Sequence, residues 1–209
     1  EHLVNCHPSV ICILAKLFNL MLLSGHLSPV FGLSYTVPLP KEGKTALSKS
    51  FSCADFRGIA ISSILSKVFE YCILDRFDNF LSSNDNQFGF KKGLSCSHAI
   101  YTVRNIVNRF IDGGSTVNLC ALDLTKAFDK VNHNVLMLKL MKRRIPIELL
   151  NIFEYWLNNC WSCVKWNGSF SKFYKLELGV RQGSVSSPFF FAVYLDDLLD
   201  YRQNSFHYF

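Results

Sequence analysis

No stretch of this sequence is apolar for long enough to cross a bilayer. The most hydrophobic one, Pro8 to Gly25, carries Lys16 and Asn19 and falls short of the ~20 apolar residues that a spanning helix needs. No basic segment precedes it, which argues against a signal peptide. Internal repeats and low-complexity tracts are absent. Charge is sparse, at 18% of residues against 49% hydrophobic, which excludes the composition of a disordered chain. Acids are the scarcer sign. Asp and Glu number 16 against 22 Lys and Arg, giving a net charge of +6. That excess permits a polyanionic partner without requiring one. A single C-x-x-C, Cys160 to Cys163, has no second cysteine pair and no H-x₃-H to complete a zinc site. Its flanks are strand-like, which disfavours a thioredoxin-type redox turn.

What is present points to a packed intracellular protein. A length of 209 residues suffices for one full domain or two small lobes with a real core. The 19 phenylalanines predict a core rich in aromatic contacts. The eight cysteines, Cys6, Cys12, Cys53, Cys72, Cys96, Cys120, Cys160 and Cys163, are scattered through apolar stretches. That suits buried reduced thiols better than a secreted disulfide framework. The chain opens on Glu1 and closes on the apolar run Ser205 to Phe209, so both ends read as cut and a fragment is expected.

Periodicity and punctuation set out the elements. Ser9 to Leu23 reads as a buried helix between Pro8 and Gly25. Tyr35 to Pro40 is extended, because its prolines forbid a helix. Lys41 to Lys44 reads as a turn and Thr45 to Asp55 as a polar loop. Ser62 to Leu81 is helical, with Ile64, Leu65, Val68, Phe69, Cys72, Ile73, Phe77 and Phe80 on one broad face. Cys96 to Ile111 is helical through Ile100, Val103, Ile106, Val107 and Phe110, and Asp112 to Ser115 stops it. Val117 to Leu122 is a short apolar run expected as a buried strand. Two helices, Asn134 to Arg143 and Pro146 to Asn158, meet at Ile145-Pro146. Trp161 to Trp166 and Ser171 to Leu178 alternate on either side of Asn167-Gly168, the mark of a hairpin. Ser187-Pro188 starts a last helix, running to about Leu199. Grouped helices and strands predict an α+β fold, with a boundary at Gly113-Gly114.

Asp123 is the most informative polar residue. A carboxylate at the end of a buried strand is costly unless it binds something, and Mg²⁺ is a common solution. It could equally cap a helix opening at Leu124, and on spacing alone the cap is the commoner outcome. Asp129, six residues on, reads more readily as an ion-pair partner of Lys126 or Lys130. Asp196 and Asp197 form a tempting acidic pair, yet they close an apolar run and read as a solvated helix edge. Lys41, Lys44 and Arg57 stand beside glycines in loops and suit phosphate contacts, although surface lysines are commonplace.

Together these segments resemble the reverse transcriptase domain of non-LTR (LINE-like) retrotransposons. Tyr35 to Lys44 is similar to the family's P-x-P-K-x-G-K segment. Asp55 to Ile59, followed by Leu65 to Glu70, resembles its Y/F-R-P-I-S…K-x-x-E block. Gln87 to Phe90 with Lys92-Gly93 resembles Q-F-G-F-R-x-G. Leu122 to Val131 with His133 resembles the first catalytic motif. Gly179 to Val185 with Ser187-Pro188 resembles G-V-x-Q-G-S-x-L-S-P. Each block is weak alone; their fixed order is specific.

The resemblance implies a right-hand polymerase, with residues 1–114 as a fingers-like region and 115–209 as a partial palm. Its ferredoxin-like sheet would be incomplete and its thumb absent. Asp123 matches the family's first metal-binding aspartate, bridging two Mg²⁺ ions while Leu124 lends its carbonyl. Phe128 matches the sugar gate that favours dNTP over NTP. Lys41 and Arg57 match the basic residues that clamp the triphosphate. Gln182 and Gly183 match the loop against the nascent base pair, where a missing side chain permits close approach. The implied partners are an RNA template, a DNA primer and dNTP, with no membrane and no defined protein partner. Two positions depart from the family: Gly58 stands for a proline and Ser186 for a leucine. Tyr194 to Asp197 comes too early for the acidic hairpin and resembles the family's Y-x-x-D-L helix end instead. The true hairpin is expected beyond Phe209, so the isolated chain is expected to be inactive.

Overall fold

The computed structural model describes residues 3–41, 52–81 and 83–198. Helix α1 (Pro8–Ser24) begins on Pro8, whose missing N–H falls where a helix has no use for it. It ends at Gly25 in the left-handed conformation, φ 66°. A short turn of helix, α2 (Pro29–Gly32), delivers the chain into β1 (Leu33–Pro40). Strand β2 (Phe56–Ser62) runs antiparallel to β1. The remaining elements are α3 (Ile64–Arg76), α4 (Asp78–Leu81), α5 (Cys96–Asp112), α6 (His133–Lys142), α7 (Ile147–Asn158), β3 (Trp161–Trp166), β4 (Ser169–Phe170), β5 (Tyr174–Lys175) and α8 (Ser187–Leu195). The fold is α+β with one mixed sheet.

That sheet has the order β2-β1-β3-β4, with β5 also on β3. β1 pairs with β3 in parallel over Leu33 to Thr36 only. Pro38 and Pro40 therefore lie where β1 has lost its second neighbour, the position at which a strand tolerates a residue without an N–H. The sheet draws strands from both sides of Gly113-Gly114. Between β3 and β4, Asn167 and Gly168 both take positive φ, 44° and 81°. These are the angles of the tight turn that Asn-Gly favours.

The core is aromatic. Phe69 is fully buried, stacked on Trp156 at 6.1 Å and packed against Phe18 at 5.0 Å. Phe153 meets Phe190 edge-on at 4.9 Å, joining α7 to α8. The carbonyl of Phe31 accepts from Ser66 Oγ, Trp156 Nε1 and Arg181 Nη1. One backbone oxygen thus ties α2 to α3, α7 and the 179–186 loop.

Several sequence expectations are corrected. Val117 to Leu122 is not a strand and is not buried: Leu119 is 72% and Leu122 90% exposed. No described strand lies beside it, and an apolar run without a ladder partner cannot pair its backbone. Helix α5 forms at the expected place but buries none of its residues, so its apolar stripe faces outward. The helix expected over Ser62 to Leu81 breaks at Phe77 into α3 and α4. The return strand of the hairpin begins at Ser169 and splits in two. Among the cysteines only Cys160 and Cys163 are buried, while Cys12, Cys53, Cys72, Cys96 and Cys120 are exposed. The turn through Lys44, most of the following polar loop, and Leu199 lie outside the described residues. No described helix is long and apolar enough to cross a membrane.

Candidate functional site

A cleft of about 970 Å³ lies between the β1–β2 ribbon, the 125–129 turn, the 179–182 loop and the outer part of β3. Lys41, Arg57, Phe128 and Gln182 all line it, although they come from distant parts of the chain. Lys41 stands at the mouth, just past β1. Its N–H donates to the Asp55 carbonyl at 2.9 Å and its ammonium to the Ala54 carbonyl at 2.8 Å. Arg57 lies on β2, opposite Leu39, with an exposed side chain.

Phe128 is held by two other rings. It stacks on Phe191 of α8 at 4.8 Å and meets Phe90 edge-on at 5.9 Å. Such contacts fix an aromatic orientation beyond what burial alone achieves. Its carbonyl accepts from Val180 N–H at 2.9 Å, and the Val131 carbonyl accepts from Gly179 N–H at 2.8 Å. His133 Nε2 lies 2.7 Å from the Gly179 carbonyl. The 128–133 turn and the 179–180 loop are thereby zipped together. Only glycine fits at 179. Its φ is 82°, and a Cβ would come within 2.9 Å of backbone atoms of Phe128 and Asp129.

Gln182 accepts at its carbonyl from Ala60 N–H at 2.7 Å, so the loop is pinned to β2. Gly183 has φ 120°, and a Cβ there would stand 2.5 Å from the Ala60 carbonyl. The close approach at this glycine is to the β2 backbone.

Asp123 and Leu124 do not line the cleft. Both are exposed, on the segment that leads into Thr125. Among the described residues no cluster of three His, Cys, Asp or Glu could hold a metal ion. The residues present do not compose a Mg²⁺ site by themselves. Asp129 lines the cleft and makes no described ion pair with Lys126 or Lys130. This corrects the expected pairing, because Lys126 sits at φ 53° and the turn is not a regular helix. Asp196 and Asp197 are not a free acidic edge. Asp196 pairs with Arg143 at 2.5 Å and accepts from Asn84 N–H at 2.7 Å, and Asp197 pairs with Lys139 at 2.5 Å. Both are consumed in tying α8 to α6.

Sequence reasoning missed the role of Glu70. It is 1% exposed, and its carboxylate accepts from Ser66 Oγ, Ser184 Oγ, Ser186 Oγ and Ser186 N–H. The carboxylate thus clamps Ser184 and Ser186, just after Gly183, to α3. A glutamate between Phe69 and Ile73 on an apolar helix face was the available signal. Its partners Ser184 and Ser186, more than a hundred residues away, were not legible. Nearby, burial pushes the Cys160 thiol pKa up, with Arg181 opposing and Glu70 adding to the shift.

Comparison with known proteins identifies the family of the chain. The family described as "Reverse transcriptase (RNA-dependent DNA polymerase)" matches residues 39–209. The chain is 27% identical over 189 residues to "Probable RNA-directed DNA polymerase from transposon BS" of Drosophila melanogaster, covering 88% of this chain and 20% of that protein. It is 26% identical over 189 residues to "RNA-directed DNA polymerase from mobile element jockey" of the same species, again 88% and 20%. To "Retrovirus-related Pol polyprotein from type-1 retrotransposable element R2" of Nasonia vitripennis it is 25% identical over 186 residues, 88% and 18%. The chain spans about a fifth of the length of these relatives. It belongs to the reverse transcriptase (RNA-dependent DNA polymerase) family, in the branch of the non-LTR retrotransposons.

Proposed function

We propose that this chain is the fingers region and part of the palm of an RNA-directed DNA polymerase, and that its cleft receives the incoming dNTP. The observation that carries the reading is the convergence of Lys41, Arg57, Phe128 and Gln182 on one cleft. Lys41 and Arg57 would bind the triphosphate through charge-assisted hydrogen bonds. Phe128, held by Phe90 and Phe191, would pack under the deoxyribose and reject a 2′-hydroxyl. Gln182 and Gly183, pinned to Ala60, would form the floor beneath the nascent base pair. In the whole enzyme Asp123, with the Leu124 carbonyl, would contribute to the Mg²⁺ site. That site needs carboxylates from elsewhere, so no step is assigned to the chain alone.

The chain alone is then a binding module, without template-directed synthesis. Lone, exposed Asp123 favours that division of labour. Titration of dTTP and UTP against the chain with a template–primer duplex tests the reading. Arg57→Ala should weaken dTTP binding about tenfold, the worth of one charge-assisted phosphate contact. Phe128→Ala should bring UTP close to dTTP. Equal dTTP binding by Arg57→Ala and the parent would overturn the assignment of the cleft.

A further inference from the structure

Among the described residues two charged side chains are buried, Glu70 and Arg181, at 1% and 7% exposed. A buried charge is costly unless its surroundings answer it. Glu70 is answered by three serine hydroxyls and a backbone N–H. Arg181 stands on the 179–182 loop, whose residues line the cleft, where a cation could face a triphosphate. Its guanidinium points into the core instead. Nη1 donates to the Phe31 carbonyl at 3.3 Å, and the guanidinium carbon lies 5.8 Å from the centre of the Trp156 ring. Arg181 also borders a small hollow behind the cleft, with Cys160, Ser184 and Ser186. Burial raises the pKa of the Cys160 thiol most, while Arg181 lowers it and Glu70 raises it. The two opposite charges therefore reach the same buried atom, although no described ion pair joins them.

The segment that carries Arg181 is bounded by Gly179 and Gly183, at φ 82° and 120°, so its two ends are permissive backbone. Two backbone ties hold it. Val180 N–H donates to the Phe128 carbonyl at 2.9 Å, and Ala60 N–H donates to the Gln182 carbonyl at 2.7 Å. Glu70 holds Ser184 and Ser186, on the far side of Gly183. Two points define an axis and leave rotation about it; a third contact off that axis removes the rotation. Arg181 is the residue between the two ties, and its side chain makes that contact. Its acceptor is itself fixed, because the Phe31 carbonyl also takes Trp156 Nε1 at 3.1 Å and Ser66 Oγ at 3.4 Å. Arginine suits this place better than lysine. Its planar, weakly hydrated fork can donate to a carbonyl while lying near an aromatic ring, whereas an ammonium is strongly hydrated.

We propose that Arg181 is a positioning residue: anchored on the Phe31 carbonyl and the Trp156 ring, it sets the 180–182 segment from behind and keeps Phe128 and Gln182 in register across the cleft. The consequence for nucleotide choice, that sugar selectivity depends on a side chain directed away from the nucleotide, rests on the polymerase reading above. The anchor itself does not.

The test is amide hydrogen exchange, read residue by residue by NMR on the isotope-labelled 209-residue chain. In Arg181→Met the Ala60 and Val180 amides should exchange about tenfold faster, the worth of one hydrogen bond from a charged donor. Amides of α6 should keep their rates within about twofold, because local openings need not cross the whole fold. Arg181→Lys keeps the charge but not the planar fork. It should accelerate the same two amides by less, and it decides the matter if Arg181→Met fails to fold. Titration with dTTP and UTP gives the second readout. Arg181→Met should lose most of the preference for dTTP, whereas Arg57→Ala should weaken both nucleotides alike and leave the preference in place.

Unchanged exchange at Ala60 and Val180 in a folded variant would overturn the anchor. So would an equal acceleration in α6, which would mark Arg181 as general packing. Equal losses of dTTP and UTP affinity in Arg181→Met would mark a direct phosphate contact and overturn it as well. Faster exchange at Ala60 and Val180, with dTTP binding indifferent to Arg57, would sink the polymerase reading and leave the anchor standing. Binding that needs Arg57, with exchange unaltered in Arg181→Met, would sink only the anchor.

Discussion

Replacing Glu70 by alanine is the severest single test of how the 182–186 loop is held. The carboxylate is buried and accepts from the hydroxyls of Ser66, Ser184 and Ser186 and from Ser186 N–H. Alanine removes the acceptor and leaves these donors facing a cavity. Hydrogen bonds to a charged group contribute about 1.5–3 kcal/mol each, and they are not additive. The donors can also partly satisfy one another, since Ser184 Oγ and Ser186 Oγ are already 3.1 Å apart. A net loss of about 3–5 kcal/mol follows, as for other broken buried polar clusters. For a chain of this size that lowers the melting temperature by about 6–20 °C. Glu70→Gln keeps the shape and one acceptor but turns an amide N–H₂ toward groups that also donate, so it should recover less than half of the loss. The assay is thermal unfolding by circular dichroism, with urea midpoints as a second measure. A melting temperature within 2 °C of the parent for Glu70→Ala would refute the clamp. So would full recovery by glutamine, which would mean that shape rather than charge is what the site requires.

Gly179→Ala should cost about 3 kcal/mol, from ~1–2 for a left-handed non-glycine residue plus ~1 for each hydrogen bond at 179–180 that must yield; urea midpoints measure it. Asp123→Ala should leave stability within about 0.5 kcal/mol, because the side chain is exposed, and a larger loss would show Asp123 to be a structural cap. Primer extension with Mg²⁺ by the chain alone should give no incorporation, and robust synthesis abolished by Asp123→Ala would contradict this. The buried Cys160 thiol has a raised pKa. The unfolded chain therefore ionises it first, and stability falls as pH rises from the ordinary thiol range toward the folded value. Cys160→Ala should flatten that alkaline slope in unfolding curves, and thiol labelling should modify exposed Cys12 and Cys96 well before Cys160.

How much of this was legible varies with the range of the interaction. Pro8 and Gly25 bound α1 because capping acts within one turn, and Asn167-Gly168 located the hairpin because its turn needs two positive φ angles. Tyr35 to Pro40 was extended for the same local reason. Periodicity located α5 but could not tell whether anything covers its stripe. Val117 to Leu122 failed because an apolar run states a preference for burial and says nothing of a partner strand. β2 was not expected as a strand, since Phe56 to Ser62 contains Gly58 and alternates poorly. Lys41 and Arg57 stood out as basic residues beside glycines, and Phe128 and Gln182 were named from the resemblance. That they share one cleft depends on pairings between distant segments, which no local pattern encodes.

The parallel pairing of β1 with β3 has a consequence for how the chain is made. Thr36 and Ser162, whose hydroxyls meet at 3.0 Å, are 126 residues apart in sequence. A ribosome adding about 5–20 residues per second separates their emergence by roughly 6–25 seconds. A β-hairpin closes in microseconds, so β1 and β2 can form at once while the other edge of β1 waits, its N–H and C=O groups open to any passing strand. Pro38 and Pro40 blunt the outer half of that edge from the moment it leaves the tunnel. The inner half, Leu33 to Thr36, contains no proline and stays open to mispairing until β3 emerges.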